Sequence, residues 1–207
     1  MKKKEQYYLG LPDEAFLRGD APMTKEEIRI MTLVKARLCS ASQVLDIGAG
    51  TGSLSIEAAL TATQGHVFAI ERNEAALELL FKNKERFACD NLTVLSGLAP
   101  EALEQLSAGQ RFDAILVGGS GGRLTDILDA SAARLIPGGR LVVNAVTPET
   151  TAGALAYFSA RADFTYQAIC LQATRLRPVG HYHLHQAQNP VYIITATKND
   201  QMEGVVV

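Results

Sequence analysis

The sequence predicts a single α/β domain, a mostly parallel sheet with helices on both faces. Three observations predict it. Short apolar runs alternate with helix-patterned stretches from about residue 43 onward. The first runs end in glycines or an acid, where a strand must stop and turn. The chain has 207 residues and 47% hydrophobic content, enough to bury one full core without staples.

The elements follow in order. Thr24-Lys25-Glu26-Glu27 has the pattern of a capping box, with Thr24 as N-cap and Glu27 three residues on. The helix it opens carries Ile28, Met31, Val34 and Leu38 on one face. Val44 to Ile47 reads as a first buried strand, ending in glycines, and 53–60 as the next helix. Val67 to Ile70 is a second strand, ended by Glu71. Asn73 then caps a helix with Ala76, Leu77, Leu80 and Phe81 at helical spacing. A short strand over 92–95 precedes Pro100, placed to open a short helix. Phe112 to Val117 is a fourth strand, followed by Gly118-Gly119-Ser120-Gly121-Gly122. A helix over 124–135 stops before Pro137-Gly138-Gly139, 141–143 is a fifth strand, and 149–162 is helical. Two strands, 164–171 and 191–198, close the chain, joined by a long polar connection containing His181, His183 and His185.

Composition narrows the function classes. Lys plus Arg is 20 against 22 for Asp plus Glu, a formal net charge of −2, which disfavours a nucleic-acid partner. Cys39, Cys89 and Cys170 are too far apart for a zinc pattern and odd in number, so small buried thiols in a reducing compartment are expected. Met1-Lys2-Lys3-Lys4 is followed by Glu5 and Gln6 in place of an apolar region, so no secretory signal is read there. No run approaches the ~18 apolar residues of a membrane span. The expectation is a soluble, cytoplasmic protein.

The chemistry concentrates at Asp46-Ile47-Gly48-Ala49-Gly50-Thr51-Gly52. Ligands of open parallel sheets bind beyond the carboxyl ends of the strands, and glycine lets the backbone turn sharply against a ligand. The helix N-terminus behind the loop is expected to present free N–H groups. A dinucleotide fingerprint from Gly48 requires a third glycine at position 53, where Ser53 stands. A phosphate-binding Walker loop requires a lysine after its last glycine, and none follows. The loop instead resembles motif I of the class I methyltransferases, D-x-G-x-G-T-G. Glu71 lies about twenty residues on, where an acid can accept hydrogen bonds from both ribose hydroxyls. The resemblance implies a Rossmann-like, mostly parallel seven-stranded sheet and S-adenosylmethionine as methyl donor. On that reading one domain spans 1–207. Residues 1–40 are an N-terminal segment and helix, 41–162 the cofactor-binding core, and 163–207 a C-terminal strand pair.

A narrower resemblance covers about 9–197. Leu11-Pro12-Asp13-Glu14-Ala15-Phe16, Arg18-Gly19, Pro22 to Glu27, Gly97 to Leu103, Val117 to Gly122, Pro137 to Arg140 and Asn189-Pro190 resemble CbiT-type decarboxylating precorrin methyltransferases. That implies methylation of carbon 15 of (cobalt-)precorrin-6B, with loss of carbon dioxide from the acetate on carbon 12. It implies cofactor contacts from Thr24, Gly48, Ala49, Gly50, Thr51, Gly52, Glu71 and Ala99, the last through its backbone near the adenine. The family often carries Asp where this chain has Leu98, so a side-chain bond to adenine is unavailable there. The resemblance also implies a homo-oligomer, a tetramer, and a separate protein for methylation at carbon 5.

A macrocycle rimmed with carboxylates calls for cations, and Arg18, Arg123, Arg175 and Arg177 are the candidates. The alternating histidines would share a face of a strand, as an exposed edge, a carboxylate-binding face or a metal site; no metal is assigned. No residue stands out as a covalent or acid–base catalyst. Two alternatives stay open: an RNA or protein methyltransferase on the same fold, and a non-catalytic module that binds S-adenosylmethionine.

Overall fold

Strands Val44-Leu45 and Ile115-Leu116 are buried on both faces, which requires layers of helix above and below them. The computed structural model describes residues 9–200 and supplies both layers. In chain order the elements are α1 (Glu26–Ala36), β1 (Gln43–Ile47), α2 (Ser53–Thr61), β2 (His66–Glu71), α3 (Glu74–Arg86) and β3 (Leu92–Ser96). They continue with β4 (Phe112–Val117), α4 (Leu124–Arg134), β5 (Leu135–Ala145), α5 (Pro148–Ser159), β6 (Phe164–Leu171), β7 (Thr174–Val179), β8 (Tyr182–Ala187) and β9 (Val191–Lys198).

Seven strands form one sheet in the order β3-β2-β1-β4-β5-β9-β6. The first five pair in parallel, and β9 is antiparallel to both β5 and β6. Alternation along the strands splits the core in two. Leu45, Ile47, Ile115 and Val143 face α4 and α5, through Ile127, Leu128 and Phe158. Val44, Leu116 and Val142 face Ile28, Leu33 and Ile56 of α1 and α2. Each such side chain contributes about 1.5–3 kcal/mol on burial. Strand order reverses between β1 and β4, so a crevice opens where their carboxyl ends diverge.

Five expectations are corrected. Thr24 does not cap α1: the N-cap is Lys25, whose side chain makes no capping bond. The Glu26 N–H instead donates to Asp13 Oδ1 at 3.0 Å, a cap supplied from 13 residues away that no local pattern reveals. The buried face of α1 is Ile28, Arg29, Thr32, Leu33 and Ala36, and Val34 is exposed. The polar connection between the last two sheet strands is a second sheet of its own, the antiparallel hairpin β7–β8. Of the three cysteines only Cys89 is buried, and burial pushes its thiol up to about 11. Pro100 caps a short 3-10 helix over 101–105 from outside and does not sit within it. The lysines at 2–4 lie outside the described residues.

Candidate active site

A cavity of about 510 Å³ occupies the crevice, within the roughly 300–1,000 Å³ usual for small-molecule sites. Its walls come mainly from the segment before α1, the glycine loop after β1, the end of β2, the turn after β3 and the glycine-serine loop after β4, with Ala75, Ala76 and Ile127 from α3 and α4. Of the predicted contacts, Thr24, Gly48, Ala49, Gly50, Glu71 and Ala99 line it. Thr51 and Gly52 do not. The Thr51 carbonyl accepts from Asn83 Nδ2 at 2.9 Å, and Gly52 is the N-cap of α2, so both hold the loop from behind.

The loop differs from expectation in what it offers a ligand. Gly48 and Ala49 N–H donate to the Ile70 carbonyl at 2.9 and 3.0 Å, and Gly52 N–H to Ala49. The Gly50 N–H donates to Glu71 Oε2 at 2.8 Å. These amides are spent inside the protein, which is the reverse of a phosphate cradle, whose amides point at the ligand. Glu71 is itself fixed by three backbone amides, since its Oε1 accepts from Arg72 and Asn73, each at 2.8 Å. An ionised carboxylate has about four acceptor sites, so capacity for hydroxyl donors remains.

Two glycines are required by contact. Gly48 has φ +74, and a Cβ there would lie 2.7 Å from the Gly119 nitrogen, so the loops after β1 and β4 approach backbone to backbone. Gly50 has φ +57, and its Cβ would lie 2.8 Å from the Pro22 carbonyl of the N-terminal segment.

That segment is held down by buried charge. Arg29 is fully buried on α1; its Nε donates to Glu57 Oε1 at 2.5 Å and its Nη1 to Asp13 Oδ1 at 3.3 Å and the Thr24 carbonyl at 2.7 Å. Its Nη2 donates to the Leu11 carbonyl. Glu57 on α2 in turn accepts from the Gly10 and Leu11 amides. Thr24 therefore reaches the cavity wall through Arg29. The sequence reading missed Arg29, because an arginine on an apolar face looks like a break in periodicity.

Behind the loop, Asp46 is fully buried, and desolvation pushes its carboxyl up to about 6, opposed by a hydrogen bond from Ser55. Among the described residues its Oδ1 and the Thr51 hydroxyl have no partner.

The candidate cations separate clearly. Arg123 is bound to Glu101 at 2.5 Å and to Asp126 at 3.1 Å. Arg175 reaches from β7 to Glu27 at 2.9 Å and Asp13 at 3.2 Å, and this pairing holds Glu27 below the usual carboxylate range. Arg18 and Arg177 are exposed and line neither cavity. The cation at the cavity is Arg72, beside Glu71, with its guanidinium next to Gly121. His183 and His185 share an exposed face of β8, and among the described residues no three His, Cys, Asp or Glu side chains group as metal ligands.

S-adenosylmethionine fits this lining. Its ribose presents two hydroxyl donors, for which Glu71 keeps acceptor capacity, and it carries no phosphate, so a loop whose amides are already spent suits it. Leu98 and Ala99 supply an apolar wall for a purine.

Comparison with known proteins agrees. The profile of the precorrin methyltransferase domain matches residues 14–198. The cobalt-precorrin-6B C(15)-methyltransferase (decarboxylating) of Salmonella typhimurium is 44% identical over 191 residues, covering 92% of this chain and 97% of the relative. A Geobacter metallireducens crystal structure described as precorrin-6y C5,15-methyltransferase superposes with a TM-score of 0.86 at 36% identity, over 92% of this chain and 98% of that one. The precorrin 8W decarboxylase of Methanobacterium thermoautotrophicum gives 0.83 at 32% identity, over 89% and 98%. With its seven-stranded sheet and a cavity where the strand order reverses, the chain belongs to the precorrin methyltransferase family.

Proposed function

We propose that the protein methylates carbon 15 of (cobalt-)precorrin-6B and releases the carbon-12 acetate carboxyl as carbon dioxide, a step of cobalamin biosynthesis. The observation that carries this reading is the pair of cavities sharing one wall. Gly118 to Gly121 line both the cavity of about 510 Å³ and a second of about 210 Å³ beyond it. A donor on one side and an acceptor on the other meet at a wall with almost no side chains.

S-adenosylmethionine supplies an electrophilic methyl group with a neutral leaving group. The protein's own work is positional. Glu71, fixed by three amides, and Thr24, held through Arg29, orient the donor from two separate segments of the chain. The glycine-serine loop sets the approach, and the apolar walls exclude water. Alignment of this kind can supply about 7–11 kcal/mol of barrier reduction. Breaking the acetate C–C bond leaves an electron pair that the conjugated macrocycle accepts, so no covalent catalyst is assigned.

The reading includes a cytoplasmic homo-tetramer, with methylation at carbon 5 left to a separate protein. Leu176, Val179, Tyr182 and Leu184 of the β7–β8 hairpin are exposed, which supports self-association through that hairpin; sedimentation of the Leu184→Glu variant tests it. No helix among the described residues is long and apolar enough to cross a membrane.

The reaction is tested by incubating the protein with methyl-labelled S-adenosylmethionine and either a precorrin-type tetrapyrrole or RNA, following label and carbon dioxide. Label in the tetrapyrrole with matching carbon dioxide is expected; label in RNA alone overturns the proposal.

A further inference from the structure

The second cavity contains a polar side chain that the reading above leaves without a task. Asn144, at the carboxyl end of β5, is 8% exposed, and it lines this cavity with Val117, Val143, Val146 and Thr150. One edge of its carboxamide is taken: Oδ1 accepts from the Thr32 hydroxyl of α1 at 3.0 Å. That hydroxyl has one proton and a second acceptor in reach, the Ile28 carbonyl at 2.7 Å, so the proton is shared between the two. The other edge, Nδ2, has no protein partner among the described residues.

This Nδ2 is not sealed in the interior like the buried unpartnered oxygens of Asp46 and Thr51; it opens onto the cavity, where a ligand can complete its bonding. The surroundings specify the ligand. Three valines make the walls apolar, and the Nδ2 is a neutral donor. On the side shared with the donor cavity, a Cβ on Gly119 would meet nothing within 4 Å, so a flat group can lie against the backbone. At about 210 Å³ the cavity takes one ring edge and a side chain, not a whole macrocycle. Apolar walls with one fixed donor match a ring edge that carries a carboxylate.

We propose that Asn144 binds the acceptor, its Nδ2 donating to a carboxylate oxygen on the side chain next to the reacting carbon, and that Thr32 is the positioning residue that sets the carboxamide. This inference deepens the function proposed above and rests on it. Two features of the fold make the arrangement rigid. β5 is paired on both sides, with β4 and β9, and Thr32 sits on the buried face of the helix packed over it. Thr32 and Asn144 are 112 positions apart, so no sequence spacing connects them.

The test measures steady-state kinetics with a precorrin-type tetrapyrrole, together with S-adenosylmethionine affinity and melting temperature. Asn144→Asp keeps the shape but replaces the donor by an acceptor. It is expected to raise KM for the tetrapyrrole about 10- to 100-fold, the loss of a hydrogen bond to a charged group compounded by repulsion. Cofactor affinity should stay within about twofold. Thr32→Val is expected to raise the same KM about tenfold, and Thr32→Ser to restore it to within about twofold, which a packing role for the threonine methyl would not do. Asn144→Ala serves if the aspartate variant does not fold. Tetrapyrrole KM unchanged in Asn144→Ala, or lost cofactor affinity in equal measure, overturns the assignment. A wild-type protein inert toward the tetrapyrrole sinks both proposals, whereas an active wild type with indistinguishable variants sinks this one alone.

Discussion

On one side of the Gly118–Gly122 loop, the groups lining the larger cavity are held by backbone: Glu71 by three amides, and Gly48 by close approach to Gly119. On the other side they are held by side chains, Asn144 by Thr32 and by nothing local. The difference tracks two requirements. A methyl donor of fixed structure can be met by a fixed backbone, which only glycine at set positions allows. An acceptor must be recognised by its own rim, and that takes side chains gathered from separate elements.

The largest expected effect shows where the donor side also leans on side chains. Arg29→Ala removes the cation between Asp13 and Glu57, both nearly fully buried. Removing one partner of a buried ion-pair network typically costs about 3–5 kcal/mol, read by urea denaturation. Because the same arginine holds the Thr24 carbonyl, cofactor affinity should fall with it. A variant that loses stability and keeps full cofactor affinity would show that the N-terminal segment is not part of the donor wall.

Next comes one substitution made on both loops. Gly50→Ala combines φ +57 with a 2.8 Å contact to the Pro22 carbonyl, and should destabilise by about 2–4 kcal/mol. Gly119→Ala meets no atom within 4 Å and should leave stability within about 0.5 kcal/mol, while slowing methyl transfer at the shared wall. Thermal melts beside turnover separate the two. Equal melting temperatures for both variants would erase the contrast drawn above.

This contrast also explains what could be read from the sequence. The glycine loop, the acid that ends β2 and the parallel core were legible because strand period and glycine spacing act over a few residues. The cap of α1 was misread because Asp13, from a distant turn, outcompetes Thr24 for the Glu26 amide. The hairpin was read as a connection because its strands are exposed on both faces and their apolar positions, Leu176 and Leu184, fall on opposite faces, so no apolar face marks the pair. Asn144, Arg29 and Arg72 carry no local signature, since what defines each of them is a neighbour far along the chain or a place on a wall.

A smaller effect follows from Asp46, behind the donor loop. Burial raises its carboxyl from 3.8 to about 6, so the folded state holds the proton more tightly than the unfolded one. Its contribution is then fully present below pH 4 and is lost as pH rises through 6, amounting to about 3 kcal/mol at most. Glu27 is shifted the other way by Arg175, so the slope of the wild type alone is mixed. The difference between wild type and Asp46→Asn isolates it. The asparagine variant should gain stability relative to wild type between pH 4 and 7, measured by denaturation at each pH. A constant difference across that range would mean that Asp46 is not held neutral behind the loop.

The smallest effects come from the two arginines nearest the site, and they sharpen the acceptor side. Arg123 is already neutralised by Glu101 and Asp126, and its guanidinium has no free charge to offer a carboxylate. Arg72 lies on the wall of the larger cavity beside Gly121, which lines both cavities, with no carboxylate bound to its side chain among the described residues. An acceptor rimmed with carboxylates should therefore pair with Arg72 in preference to Arg123. Arg72→Ala is expected to raise KM for the tetrapyrrole about tenfold, and to do so less as salt rises, because the pair is exposed to solvent. Arg123→Ala should change the same KM by less than about twofold. The reverse ranking would mean that the Glu101 and Asp126 contacts open when the acceptor arrives, and that the acceptor approaches along α4 instead of over β2.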